Sequence, residues 1–192
     1  HRAYHALKDQ GLQTSEGFPT GAIYGVIMMV MRLIEEENPD YLVTACDVGK
    51  TFRHEAYDGY KATRRPMDDE FRAQLPHIWK FFNLLGVKTV GVEKFEADDV
   101  IGTMTTKALE EGIEVRIFSG DKDLYQLLAE GVTILYPRRG ITDKEIITAR
   151  SMGEKYHLSP DQWADFKALK GDQADNIPGV PGIGEKTALR LL

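Results

Sequence analysis

The sequence predicts an α/β protein with a central, mostly parallel sheet flanked by helices, followed by a small helical region. Three observations predict it. Short apolar runs of strand type alternate with longer amphipathic stretches, which implies parallel pairing through crossover helices. Acidic residues follow directly on several of those runs, the place where open α/β sheets bind ligands. After about Thr142 the strand pattern stops, and short helical segments around a Gly/Pro-rich turn take over.

Each element has a local reason. Thr20 can cap a helix to about Glu37, with Ile23, Ile27, Val30, Met31 and Ile34 on one stripe, until Asn38-Pro39 stops it. Tyr41–Cys46 is an apolar strand ending at Asp47. Asp68 or Asp69 starts a second helix with Leu75, Ile78, Phe82 and Leu85 on one face and Gly86 at its end; Pro76 should kink or divide it. Val87–Val92 reads as a second strand. Glu96 opens a helix with Ala97, Ile101, Met104 and Ala108 inward, ended by Gly112. Ile113–Ser119 is a third strand, followed by Gly120-Asp121-Lys122-Asp123 and a helix through Leu128, and Val132–Tyr136 a fourth. Helices are then predicted from Asp143 to Tyr156 and, with Ser159-Pro160 as cap and first residue, to Lys170. The division this suggests is a core over 1–141 and a helical region over 142–192.

Composition limits the function. A chain of 192 residues buries roughly 70% of its unfolded surface, enough for a true core. The longest apolar run, Val26 to Met31, falls far short of the ~20 residues that span a bilayer, so no membrane role is expected. A single cysteine, Cys46, excludes an internal disulfide and a multi-cysteine zinc site, and suits a reducing compartment. The five histidines show no metal-ligand spacing. A net charge of −6 argues against a protein that merely coats nucleic acid.

The distribution of charge is more informative. Asp47 follows the first strand, Glu96, Asp98 and Asp99 lie beyond the second, and Asp121 and Asp123 follow the third. Two like charges 4 Å apart repel by ~4 kcal/mol at an effective dielectric of 20, so such a cleft demands a cation. Carboxylates without His or Cys suit Mg²⁺ or Mn²⁺, and this many suit two ions, the arrangement that hydrolyses phosphodiesters. Each group also has a bland alternative as a helix cap or dipole partner. Asp172 and Asp175, if helical, share a face that could join this cleft. Segment 48–66 lacks apolar periodicity, and from Lys50 to Arg65 it holds five basic residues against two acidic ones, with Phe52, Tyr57 and Tyr60 interleaved. Gly179–Ala188 reads GVPGIGEKTA, the pattern of a helix-hairpin-helix turn. Its Gly182 and Gly184 let backbone approach a phosphate, and Lys186 lies in the first turn of the next helix.

With FRHEAYDGYKATR (52–64), EADD (96–99), SGDKDLYQLL (119–128) and DQWADFKALKGDQADNIPGVPGIGEKTA (161–188) in this order, the chain resembles the 5′-nuclease (5′-3′ exonuclease) domains of bacterial DNA polymerase I, in the flap endonuclease superfamily. The resemblance covers nearly the whole chain. It implies a PIN-like or resolvase-like core that cleaves 5′ flaps or 5′ ends on duplex DNA with two metal ions, in a cytoplasmic, monomeric protein continuing into a polymerase region. Asp47, Glu96, Asp98 and Asp99 would match the first metal group; Asp121, Asp123, Asp172 and Asp175 the second. Lys61 would contact the scissile phosphate and Tyr60 stack on a terminal base, within a basic arch that includes Arg53, Arg64 and Arg65. Arg2 would contact phosphate. Gly182, Gly184, Lys186 and Thr187 would bind duplex DNA, with carbonyls near Val180 and Ile183 holding K⁺. It also implies a further aspartate, of a DGN-type motif, upstream of His1. A PIN-like RNase and a non-catalytic DNA-structure binder remain as alternatives.

Overall fold

A computed structural model describes residues 2–138 and 143–192 of the chain; the predicted boundary at 141–142 lies outside them. In chain order the elements are α1 (Arg2–Leu7), α2 (Gly21–Glu37), β1 (Val43–Ala45), α3 (Phe52–Ala56), α4 (Asp69–Leu84), β2 (Lys88–Val90), α5 (Ala97–Glu110), β3 (Val115–Phe118), a 3₁₀ helix (Lys122–Leu127), β4 (Val132–Pro137), β5 (Lys144–Ile147), α6 (Ala149–Tyr156), α7 (Trp163–Lys170) and α8 (Glu185–Leu191). They form two compact units. One comprises His1–Ala45, Pro66–Val90 and Pro137–Lys144; the other Cys46–Arg65, Gly91–Tyr136 and Glu145–Leu192.

In the first unit β1 and β2 pair in parallel, Thr44 opposite Thr89. Tyr4, Ala22, Phe71, Ile78, Phe82 and Val87 form its core. Helices α1 and α2 approach closely because Gly25 has no side chain: a Cβ there would lie 2.9 Å from that of Ala3. Thr20 makes no side-chain cap to α2. Gln74, buried on α4, supplies it instead, its Oε1 accepting from the N–H groups of Ala22 (2.8 Å) and Ile23 (3.2 Å). Pro76 does not divide α4, which runs unbroken through it. Met31, expected on the buried stripe of α2, is 47% exposed.

In the second unit β3 pairs in parallel with β4, Ile117 opposite Ile134, in a sheet ordered β3-β4-β5. The core gathers Leu124, Tyr125, Ile134, Met152, Trp163 and Phe166. Parallel pairing is therefore present, but among the described residues it is shared between two small sheets rather than gathered into one. Strands also continue past the predicted stop: β5 takes residues expected to be helical. Thr148, whose hydroxyl accepts from the N–H of Ser151, starts α6 only after it.

Candidate functional site

All eight predicted metal-site carboxylates lie in the second unit. Two are placed by the start of α5. Glu96 is its N-cap, and Asp99 completes the capping box by accepting from the Glu96 N–H at 2.9 Å. Asp47 Oδ1 accepts from the N–H of Ala97 at 2.7 Å, which ties the chain after β1 to the same helix end. Asp121 caps the 3₁₀ helix after β3, its Oδ1 accepting from the N–H of Asp123 at 3.0 Å.

Asp172 and Asp175 are brought together without a helix. Reciprocal 2.8 Å backbone bonds between Asp172 and Ile177 close a turn, and Asp172 Oδ1 accepts from the N–H of Ala174. Gly171 and Gly179 pass each other so closely that a Cβ on Gly179 would lie 2.4 Å from the carbonyl carbon of Lys170. Carboxylate oxygens of Asp123, Asp172 and Asp175 consequently lie within 4.8 Å of one another.

Electrostatics link the groups. Burial, then the charges of Asp121, Asp123 and Glu96, push the carboxyl of Asp98 up to about 6. Burial also raises Asp123, against the opposing pull of Lys167. Burial works against ionisation of Asp172 too, but the Lys167 ammonium and backbone N–H groups hold it below the usual range. Lys167 Nζ donates to both Asp123 and Asp172. An ammonium therefore stands between two of the three converging carboxylates, marking where the fold demands positive charge. An all-oxygen donor set with a cation already drawn into it fits hard divalent ions. Lys167 was not singled out from sequence, although it lies five residues before Asp172 in the quoted KALKGD stretch.

The basic segment does not stand away from these acids. Arg53 binds Asp99 bidentately at 2.7 and 2.8 Å, and this pairing holds Asp99 below its ordinary range. Asp99, expected as a ligand, has both carboxylate oxygens engaged by Arg53. Lys61, at a backbone φ of 56°, donates to Glu96 Oε1 at 2.6 Å. Arg64 pairs with Asp175 Oδ1 at 2.5 Å. Tyr60, expected to offer its ring to a base, is 6% exposed. Its edge-to-face partner is His54, and its hydroxyl meets Glu96 at 2.9 Å and Asp175 at 3.1 Å. Burial, reinforced by the bond to Glu96, raises the phenol above its ordinary value. Arg65 is exposed.

In the terminal turn the N–H of Val180 donates to the carbonyl of Leu169 and the N–H of Ile183 to that of Val180. Gly182 has φ +80°, Gly184 caps α8, and Lys186 is exposed. Thr187 donates its N–H to Gly184. Arg2 belongs to the first unit, where it donates to the carbonyl of Arg138.

Residues 1–157 match the family model for the 5′-3′ exonuclease N-terminal resolvase-like domain, and residues 158–192 that for its C-terminal SAM fold. The chain belongs to the 5′-3′ exonuclease family. The chain is 46% identical over 192 residues to the thermostable DNA polymerase I of Thermus aquaticus and 44% over 193 to DNA polymerase I of Bacillus subtilis (strain 168). Each match takes in 100% of this chain and 22% of the relative, so the chain spans about a fifth of the curated proteins it matches. T5 5′-exonuclease, solved with bound zinc, shares the fold with a TM-score of 0.77 at 22% identity, over 99% of this chain and 70% of that one. The catalytic core of Rad2 in complex with DNA substrate gives 0.60 at 18%, over 98% and 57%. Among the described residues no helix is long and apolar enough to cross a membrane.

Proposed function

We propose that this exonuclease chain hydrolyses phosphodiester bonds in DNA at a 5′ flap or a 5′ end on duplex, as the nuclease part of a DNA polymerase I in the bacterial cytoplasm, acting as a monomer. The carrying observation is that carboxylate oxygens of Asp123, Asp172 and Asp175 lie within 4.8 Å of one another, in the same compact unit where Lys61, Arg53 and Arg64 pair with Glu96, Asp99 and Asp175. Asp47, Glu96 and Asp98 would hold one Mg²⁺ or Mn²⁺, and Asp121, Asp123, Asp172 and Asp175 a second. When bound, the ions supply an activated water at neutral pH and neutralise charge on the attacking and leaving oxygens.

The chain's own residues do the rest. Lys61 stabilises charge developing on the scissile phosphate. Asp99 keeps the Arg53 fork aimed, and Arg53, Arg64 and Arg65 neutralise the 5′ strand. Gly182, Gly184, Lys186 and Thr187 offer backbone and ammonium donors to duplex phosphates, with Arg2 a further contact, so selection follows shape more than base sequence. The carbonyls at Val180 and Ile183 would take K⁺ there. The region from about residue 142 onward serves as the duplex-gripping part. Asp123→Asn should abolish Mg²⁺-dependent cleavage of a 5′-flap substrate while DNA binding persists. Cleavage at a near wild-type rate, or preferential cleavage of single-stranded RNA by the unaltered protein, would overturn this reading.

A further inference from the structure

Four side chains of the segment 53–64, Arg53, Tyr60, Lys61 and Arg64, are turned onto carboxylates assigned to the site or its support. Lys61 takes Glu96, Arg53 takes Asp99, and Arg64 takes Asp175. Tyr60 uses one hydroxyl to bridge Glu96 and Asp175, which come from different segments of the unit. Backbone and amide bonds reinforce the closure. The N–H of Lys61 donates to the carbonyl of Asp175 at 2.9 Å, Asn176 Nδ2 to that of Gly59 at 2.7 Å, and Arg64 Nε to that of Ala174 at 3.2 Å. The segment is thus fastened to the turn that carries Asp172 and Asp175.

We propose that residues 57–64 form a latch, held shut by Tyr60, Lys61 and Arg64 on Glu96 and Asp175 and released by divalent-ion binding. The inference rests on the metal-dependent reading above. The same oxygens cannot serve an ammonium, a guanidinium and a divalent ion at once, and like-charged neighbours repel. Ion binding therefore favours the open segment, and the basic groups it frees are those needed on DNA phosphates. The closed form, in turn, keeps Lys61 and Arg64 from binding DNA where no hydrolysis could follow. Because ion binding draws on the open fraction, whatever weakens the latch must strengthen ion binding, by up to the same factor.

Amide hydrogen exchange read by peptide mass spectrometry on the full-length protein, with and without Mn²⁺, tests this. Mn²⁺ binding is measured in parallel by calorimetry. Exchange in peptides covering 57–64 should speed up about fivefold or more with saturating Mn²⁺, whereas a matched rise in NaCl should not reproduce it. Tyr60→Phe, which keeps the ring and removes the bridging hydroxyl, should bind Mn²⁺ more tightly and exchange faster in this segment before any ion is added. Normal Mn²⁺ binding with unchanged or slower exchange at 57–64 would overturn the latch alone, as would Tyr60→Phe binding Mn²⁺ no more tightly. Failure of the unaltered protein to bind Mn²⁺ at all would overturn the latch and the metal-dependent function together.

Discussion

Asp98 carries a cost that its position imposes. Its folded carboxyl holds a proton up to about pH 6, against a reference value of 3.8, because burial and three neighbouring carboxylates disfavour its charge. Between those two pH values the folded state retains a proton that the unfolded chain has lost, so stability falls as pH rises through that window. Without divalent ions, Asp98→Asn should stabilise the fold at pH 8 by about 2 kcal/mol after solvent screening, read as a higher melting temperature. The gain should vanish below the reference value of 3.8. Thermal melts across pH check it, and a variant less stable at pH 8 would contradict the assignment. The acidity of Asp98's position was visible in the sequence, since a carboxylate in a helix's first turn beside two others is legible. That Asp99 would spend itself on Arg53 was not, because a bidentate pair across 46 residues depends on where α3 comes to rest.

At the scale of elements, helix ends depend on partners far along the chain. Thr20 has the residue type of an N-cap, yet Gln74 does the work at α2, 52 residues from Ala22. Gln74→Leu should cost about 1–3 kcal/mol by leaving buried N–H groups unpaired, and Thr20→Ala only a few tenths; urea denaturation of both variants separates them. The turn between α7 and α8 depends on absent side chains. Gly179→Ala would press a methyl group into the backbone at Lys170, costing about 2–4 kcal/mol. It should also reduce cleavage more than tenfold by displacing the turn that carries Asp172 and Asp175. A flap-cleavage assay on protein shown to be folded checks the second effect. Helix–strand alternation was readable because the periods are local. The strand β5 was not, since its four residues pair with β4 through tertiary contact rather than any period of their own.

For the whole molecule, net charge is a poor guide and charge distribution a good one. Eight of the 30 acidic residues (Asp47, Glu96, Asp98, Asp99, Asp121, Asp123, Asp172, Asp175) lie in the second unit and are assigned to the proposed site or its support, leaving 22 against 24 basic ones. DNA affinity should thus fall steeply with salt despite the net −6, and Arg64→Ala should lower the log–log salt slope by about 1. Fluorescence anisotropy over a salt series measures this, and an unchanged slope would remove Arg64 from the phosphate contacts. The sequence by itself determined the α/β class and the family, because these follow from local periodicity and from residue types in a fixed order. Only the tertiary structure decided which acid meets which base: Tyr60 between Glu96 and Asp175, Lys167 between Asp123 and Asp172, Asp99 given to Arg53. Such pairings join segments up to 115 residues apart, and their geometry is set by how helices and turns pack, which no local pattern encodes.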